Sequence, residues 1–285
     1  MKPPPFDYVM AETLGEALDL LASLRDEVQP IAGGQSLTPM LSLRVARPGV
    51  VLDLQKLGEL RGIAPVAGGG LRIGAMTRQV EVLESPLVAE HLPALADAMR
   101  LVGHFQTRNR GTLGGSIALG EPAAENPAFA LALDAELELR SAGGTRTVPA
   151  SAFYTGPYMT ERADDELLVA ITYRPPAHAR IGIEEVMQRK GDFALSGLVA
   201  CIGTDGRGVI DDPRLAWFGM DTRPVRAAAA EAAMRGRQLA ELDLAELAEL
   251  ALTDTSPIED SHGTPEYRLA AGRAIFARLF NRLLA

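Results

Sequence analysis

The sequence predicts a mixed α+β protein built in two parts, on three observations. Up to Tyr173, short apolar runs of strand length alternate with helix-patterned stretches. A Pro175-Pro176 pair then interrupts the chain. Beyond it, two strand-like runs flank a turn and only helices follow. The 285 residues permit two domains of ordinary size. The expected boundaries are 1–175 and 176–285, with the first part divisible near residue 57 into subdomains 1–57 and 58–175.

The first helix is the clearest element. Thr13 can cap it, Glu16 stands three residues on as in a capping box, and Leu14, Ala17, Leu18, Leu21 and Leu24 share a face. Strands are expected at 28–31, 49–54 and 71–76, with Gly33-Gly34 breaking the first. Residues 80–99 read as helix punctuated by Pro86 and Pro93, 111–120 as a glycine-dense loop, 127–140 as helix then strand, and 166–173 as a closing strand. In the second part, strands at 194–204 and 214–220 flank an Asp205-Gly206 turn suited to a hairpin. Pro224 opens an alanine-rich helix, and further helices are expected at 239–252 and 265–284.

Composition narrows the chemistry. With 28 Lys+Arg against 37 Asp+Glu, the net charge is −9 at pH 7, which argues against a nucleic-acid-binding face. The longest uncharged apolar run, 195–203, is about half of the roughly 20 residues a membrane-spanning helix needs. The opening MKPPPFDYVM lacks the apolar stretch of a signal peptide, so the expected location is the cytoplasm. Cys201 is the single cysteine, which rules out an internal disulfide, a four-cysteine zinc site or an iron–sulfur cluster held by this chain. His91, His104, His178 and His262 are scattered, with no HExxH. Redox chemistry would therefore need a bound organic cofactor or another subunit.

Two glycine-rich segments carry the functional signal. In Pro30-Ile31-Ala32-Gly33-Gly34-Gln35-Ser36-Leu37 a strand runs into residues whose backbone N–H groups can converge on an anion. A Cβ there would block a positive φ or the approach of a phosphate. In Arg108-Asn109-Arg110-Gly111-Thr112-Leu113-Gly114-Gly115-Ser116-Ile117-Ala118 the same logic recurs, with two arginines just upstream of the glycines. Tight turns in a glycine-rich chain are the plain alternative for either segment alone; together they favour a phosphate-bearing ligand. Neither segment is a GxGxxG following a first strand, and GxxxxGK[ST] and GxSxG are absent. That disfavours a Rossmann dehydrogenase, a P-loop NTPase and a serine hydrolase.

AGGQSL at 32–37, RNRGTLGGSIA at 108–118 and EPAAENPAFALALDAELEL at 121–139 resemble the FAD-binding medium subunit of the molybdenum hydroxylases. The similarity is greatest to the aerobic carbon monoxide dehydrogenase group and more distant to the flavin domain of xanthine dehydrogenase. GDFALSG at 191–197 and HGTPEYR at 262–268 resemble two marker stretches of that family's C-terminal domain. The resemblance implies a two-part FAD-binding domain of the vanillyl-alcohol-oxidase (PCMH) type, followed by a small α+β domain of the CO dehydrogenase flavoprotein C-terminal type.

It also implies roles. Ala32, Gly33, Gly34, Gln35, Ser36 and Leu37 match the stretch that binds the FAD pyrophosphate, and Thr112, Gly114, Gly115 and Ser116 match the one that completes the phosphate and flavin contacts. Glu125 falls where relatives carry an acid that can bind the adenosine part. Lys190 and Asp192 match a segment approaching the flavin, with Phe193 where an aromatic or apolar residue lies against the isoalloxazine ring. A carboxylate suits ribose hydroxyls, and Lys190 or Arg189 could stabilise an anionic reduced flavin. His104 is expected to be structural. Two departures stand out: Leu119-Gly120-Glu121 replaces a common His-Ala-Asp, and Asn126 occupies a usually apolar position.

The function implied is that of an FAD-binding electron-transfer subunit with no nucleophile, general base or metal ligand of its own. FAD would be held non-covalently. A [2Fe-2S] small subunit and a molybdopterin large subunit are the expected partners, in a dimer of heterotrimers that passes electrons to an external acceptor. A stand-alone flavin-dependent reductase or oxidase, or a non-redox FAD- or nucleotide-binding scaffold, are the alternatives.

Overall fold

A computed structural model of the chain describes residues 2–284. Four sheets carry the architecture. Strands β1 (Asp7–Met10), β2 (Val28–Ile31) and β3 (Val50–Asp53) form a parallel sheet ordered β1-β3-β2, linked by helices α1 (Leu14–Leu24) and α2 (Leu37–Ser42). Thr13 caps α1 by accepting from the Glu16 N–H at 3.2 Å, while the Glu16 carboxylate reaches back to the Glu12 N–H. Leu14, Ala17, Leu18 and Leu21 are buried against Leu52, Leu54 and Leu57. Amphipathic spacing and one cap suffice for this helix.

The second sheet is antiparallel, ordered β4-β5-β10-β6-β7, from β4 (Ile63–Pro65), β5 (Leu71–Gly74), β6 (Glu136–Ser141), β7 (Gly144–Pro149) and the wholly buried β10 (Leu167–Tyr173). Helices α3 (Gln79–Glu84), α4 (Pro86–His91) and α5 (Pro93–Leu101) occupy the stretch read as one punctuated helix. Pro86 and Pro93 each open a new helix, where a missing N–H costs nothing. Then follow α6 (Phe105–Arg110), α7 (Leu113–Leu119) and α8 (Glu125–Ala132). The short α9 (Ala150–Phe153) leads into the β8 (Tyr154–Gly156) and β9 (Met159–Thr160) ribbon.

The glycine-dense stretch at 111–120 is mostly helix: Thr112 accepts from the Gly115 N–H at 3.0 Å and caps α7, and Gly120 ends it at φ 68°. The cap outweighs the poor helix propensity of Gly114 and Gly115.

The C-terminal sheet is an antiparallel meander of β11 (Arg180–Met187), β12 (Ala194–Thr204), β13 (Ile210–Phe218) and β14 (Val225–Arg226). The Asp205 carboxylate accepts from the N–H groups of Arg207 and Val209 in the turn before β13, which begins four residues earlier than expected. Pro224 precedes the edge strand β14 instead of opening a helix. The alanine-rich helix α10 is Ala228–Met234, followed by α11 (Leu244–Leu252) and α12 (Pro265–Leu284).

One face of this sheet packs Val199, Cys201, Ala216 and Phe218 into the core shared with α5 and α8; the other packs Leu198, Ile202 and Trp217 beneath the three last helices. A sheet covered on both faces reads as continuous apolar sequence, as β12 does. Cys201 lies in that first core, and burial pushes its thiol up to about 12. Among the described residues no helix is long and apolar enough to cross a membrane.

Candidate functional site

The two glycine segments meet. A Cβ on Gly33 would stand 2.3 Å from the Arg110 carbonyl oxygen and 2.6 Å from the Gly111 Cα, and one on Gly115 would stand 3.3 Å from the Ala32 Cβ. Gly34 turns at φ 71°. Among the described residues the N–H groups of Gly33, Gly34, Gln35 and Ser36 have no acceptor within the chain. Ser36 precedes α2 without spending its hydroxyl on the cap, and Leu37 begins that helix. The Gln35 amide donates to the Gly33 carbonyl at 3.3 Å. The first segment is therefore a row of unspent donors around a left-handed turn, the geometry of an anion nest.

The second segment differs in kind. Its N–H groups are already used: Leu113 donates to the Thr77 carbonyl (3.0 Å), Gly114 to Ala75 (2.9 Å), Gly115 to the Thr112 hydroxyl and Ser116 to the Thr112 carbonyl (3.2 Å). Gly114 is there for close approach, since a Cβ would stand 2.3 Å from that of Ala75. Thr112 thus caps the helix, Gly114 seats it on Ala75, and Gly115 meets Ala32 of the first segment, with Ser116 following in the same turn.

Cations gather at this junction. A cleft of about 390 Å³ is lined by Ile31, Gly33, Gly34, Thr38, Gln55 and Arg110, among others. The half-buried Arg78 guanidinium donates to the Arg110 carbonyl and to the Gln55 side-chain oxygen. Burial, and then the like charges of Arg61 and Arg110, pull its pKa below the ordinary arginine value. Among the described residues, Arg61, Arg78 and Arg110 form no ion pair with a carboxylate. Three crowded guanidinium groups beside free amides call for an anion. Arg110 was visible upstream of the second segment; Arg61, Arg78 and Gln55 were not, because only the fold brings them there.

Lys190 faces a second cleft, of about 470 Å³, lined also by Gly103, His104, Phe105, Gln106 and Arg108. α6 connects the two clefts, with Arg108 in one and Arg110 in the other. The turn carrying Lys190, Asp192 and Phe193 joins β11 to β12 and rests on His104: Gly191, at φ 91°, leaves no room for a Cβ beside that imidazole. Phe193 is 58% exposed. The HGTPEYR stretch supports this turn from behind, through a 3.0 Å hydrogen bond between His262 Nδ1 and Gln188 Oε1. Arg268, 4% exposed, donates to the carbonyls of Leu195 (2.7 Å) and Gly219 (2.8 Å) and to Asp260 (2.7 Å).

Glu125 lines neither cleft. It is 4% exposed at the start of α8, and burial, joined by the charge of Glu121, pushes its carboxyl above the usual range. Glu185, from β11, is raised by burial and then by Glu125, and both its carboxyl oxygens lack a partner. Glu121 instead accepts from the Tyr158 hydroxyl, and the fully buried Asn126 leaves both amide atoms unpaired.

These features fit a known type of chain. Residues 4–173 match the FAD binding domain in molybdopterin dehydrogenase, and residues 183–283 match the CO dehydrogenase flavoprotein C-terminal domain. This chain belongs to the FAD-binding medium subunits of the molybdenum hydroxylases. It is 35% identical to the glyceraldehyde dehydrogenase medium chain of Sulfolobus acidocaldarius, over 99% of this chain and 100% of that one. It is 34% identical to the carbon monoxide dehydrogenase medium chain of Hydrogenophaga pseudoflava, over 99% and 98%. A solved structure of carbon monoxide dehydrogenase from the latter organism superposes with a TM-score of 0.95 at 35% identity, covering 100% of this chain and 99% of its counterpart. Membership makes this medium subunit part of an oxidoreductase with the expected α+β architecture: an FAD-binding domain followed by the smaller C-terminal one.

The cradle suits FAD on its own terms. Four amides and the Ser36 hydroxyl are unspent, and among the described residues three arginines form no ion pair. A diphosphate answers both.

Proposed function

We propose that this subunit binds FAD non-covalently, takes electrons from an iron–sulfur partner and passes them to an external acceptor. The molybdenum cofactor and [2Fe-2S] clusters would reside in the partner subunits, in a cytoplasmic dimer of heterotrimers. The observation that carries the reading is the junction of Gly33 with Arg110, where free amides meet unpaired guanidinium groups.

FAD, when bound, supplies a centre able to accept electrons singly and release them in pairs. The residues of this chain bind and orient it. The amides of Gly33 to Ser36 and the arginine cluster would hold the diphosphate. Thr112, Gly114, Gly115 and Ser116 would shape the flavin side, and Lys190, Asp192 and Phe193 would border the ring from the C-terminal sheet. Lys190 lies in a cleft with Arg108, so positive charge is available to favour an anionic reduced ring. Glu125 would contact the adenosine moiety, as the resemblance implies. The division into 1–175 and 176–285 would separate the cofactor domain from the part that supplies this border.

The two clefts offer amides, cations, a hydroxyl and an imidazole, and no carboxylate. That set suits cofactor binding better than abstraction of a substrate proton, and it favours the electron-transfer reading over a stand-alone oxidase. The test is the visible spectrum of the complex and of the chain reconstituted with FAD. Oxidised flavin bands that bleach when the complex is given its substrate are expected; a chain that retains no flavin defeats the proposal.

A further inference from the structure

The fold leaves an ordered apolar tip uncovered at the end of α2. α2 ends in a Schellman-type cap: the Val45 N–H donates to the Met40 carbonyl at 2.9 Å and the Arg44 N–H to the Leu41 carbonyl at 3.0 Å. Its left-handed position is held by Arg44, at φ 59°, where glycine would sit without strain. In such caps the apolar residue that follows ordinarily packs back on the helix. Here Val45 is 72% exposed and Leu43 64%. The loop is nonetheless fixed: Arg44 Nε donates to the Lys2 carbonyl at 3.3 Å and Arg47 Nε to the Arg44 carbonyl at 3.1 Å. Two aliphatic side chains are thus presented by a strained backbone that the chain holds in place.

The charge along this stretch of chain is one-sided. No Asp or Glu occurs from Val28 to Leu52, in a chain with 37 of them, yet Arg44 and Arg47 fall inside that stretch. Among the described residues neither arginine pairs with a carboxylate. An acidic chain whose 28–52 stretch carries arginines and no acid beside exposed aliphatics has the anatomy of a binding site for an acidic protein. The apolar centre supplies affinity and the charged rim supplies steering.

We propose that residues 43–47 form the docking tip for an acidic iron–sulfur protein, the electron donor of the function proposed above, on which this inference rests. Position supports the choice of occupant. The tip lies at the far end of α2 from the anion nest, six residues or roughly 9 Å of helix rise away. A protein seated there places its redox centre near the cofactor, and electrons cross between proteins efficiently only over short distances. Because the tip is already ordered, docking loses little conformational freedom.

The chain is purified by an affinity tag from cells that also make the iron–sulfur and large subunits of its complex, and FAD, iron and acid-labile sulfide are measured per chain. Wild type is expected to carry FAD and iron. The Leu43→Asp/Val45→Asp double variant is expected to keep its FAD and lose iron about ten-fold. Arg44→Glu/Arg47→Glu is expected to do the same, and Ile258→Asp, at an exposed aliphatic elsewhere, to keep both. Wild-type iron content in the two double variants overturns the docking tip while leaving the FAD reading intact. Absence of iron from FAD-loaded wild type overturns the electron-donor reading and the tip with it.

Discussion

Gly33 and Arg110 touch backbone to backbone, so closely that a Cβ on Gly33 would stand 2.3 Å from the Arg110 carbonyl oxygen. Neither partner can yield as a flexible side chain would. Gly33→Ala is expected to push the two segments apart, at a cost of about 3 kcal/mol, and to lower FAD affinity at least ten-fold. Denaturant melts of the apo chain and flavin-fluorescence titrations check both.

Arg78 acts through charge, not space. Arg78→Gln removes one of three crowded cations. FAD affinity is expected to fall about ten-fold, with a shallower salt dependence than wild type, because screening then has less charge to act on. Titrations at several ionic strengths measure this. Riboflavin, which has no phosphate, should bind both proteins alike.

The Glu125 and Glu185 carboxyls set a pH dependence. Burial first, then neighbouring acids, raises them, to about 7 and about 8. Between the ordinary carboxyl range and those values the folded chain holds more protons than the unfolded one, so stability falls as pH rises. The contribution of these two groups should be most favourable below the unfolded carboxyl range and be lost as pH rises through about 7 and about 8. Glu185→Gln should flatten that decline, read from urea midpoints of the apo chain across the range.

Arg268 holds the C-terminal part together. Its guanidinium satisfies two carbonyls at the ends of neighbouring strands, out of reach of water, and pairs with the exposed Asp260. Arg268→Met fills the same space and leaves those acceptors unpaired, an expected cost of about 3 kcal/mol. Calorimetry should show the loss, and the Lys190 turn, supported from the same motif, should become more open to proteolysis.

Much of this was legible in the residues. The Thr13 cap with its aliphatic stripe gave α1, and Gly33-Gly34 after a strand gave the nest, because both are local effects of spacing and φ. The stretch at 111–120 misled: glycines suggested a loop, whereas the Thr112 hydroxyl starts a helix. β11 escaped notice because its exposure is irregular, with no clean alternation from Arg180 to Met187. Pro224 looked like a helix start because an edge strand two residues long leaves no pattern. Arg61, Gln55 and Arg78 join Arg110 only through the packing of separate segments, and no sequence spacing encodes that. The resemblance supplied Lys190 and Phe193, while their support by His104 and His262 needed coordinates.

Cys201 sits in the middle of β12 with no exposed surface, and burial holds its thiol in the protonated form. Thiol reagents attack the thiolate, so the folded chain should be inert to them. Two experimental uses follow. Labelling of the wild type becomes a clock for separation of the C-terminal sheet from α5 and α8, whose core covers the thiol. A cysteine introduced at a surface position, such as Val45→Cys, would be the only reactive thiol present, so a spin label or fluorophore could report on that tip without first removing the native residue.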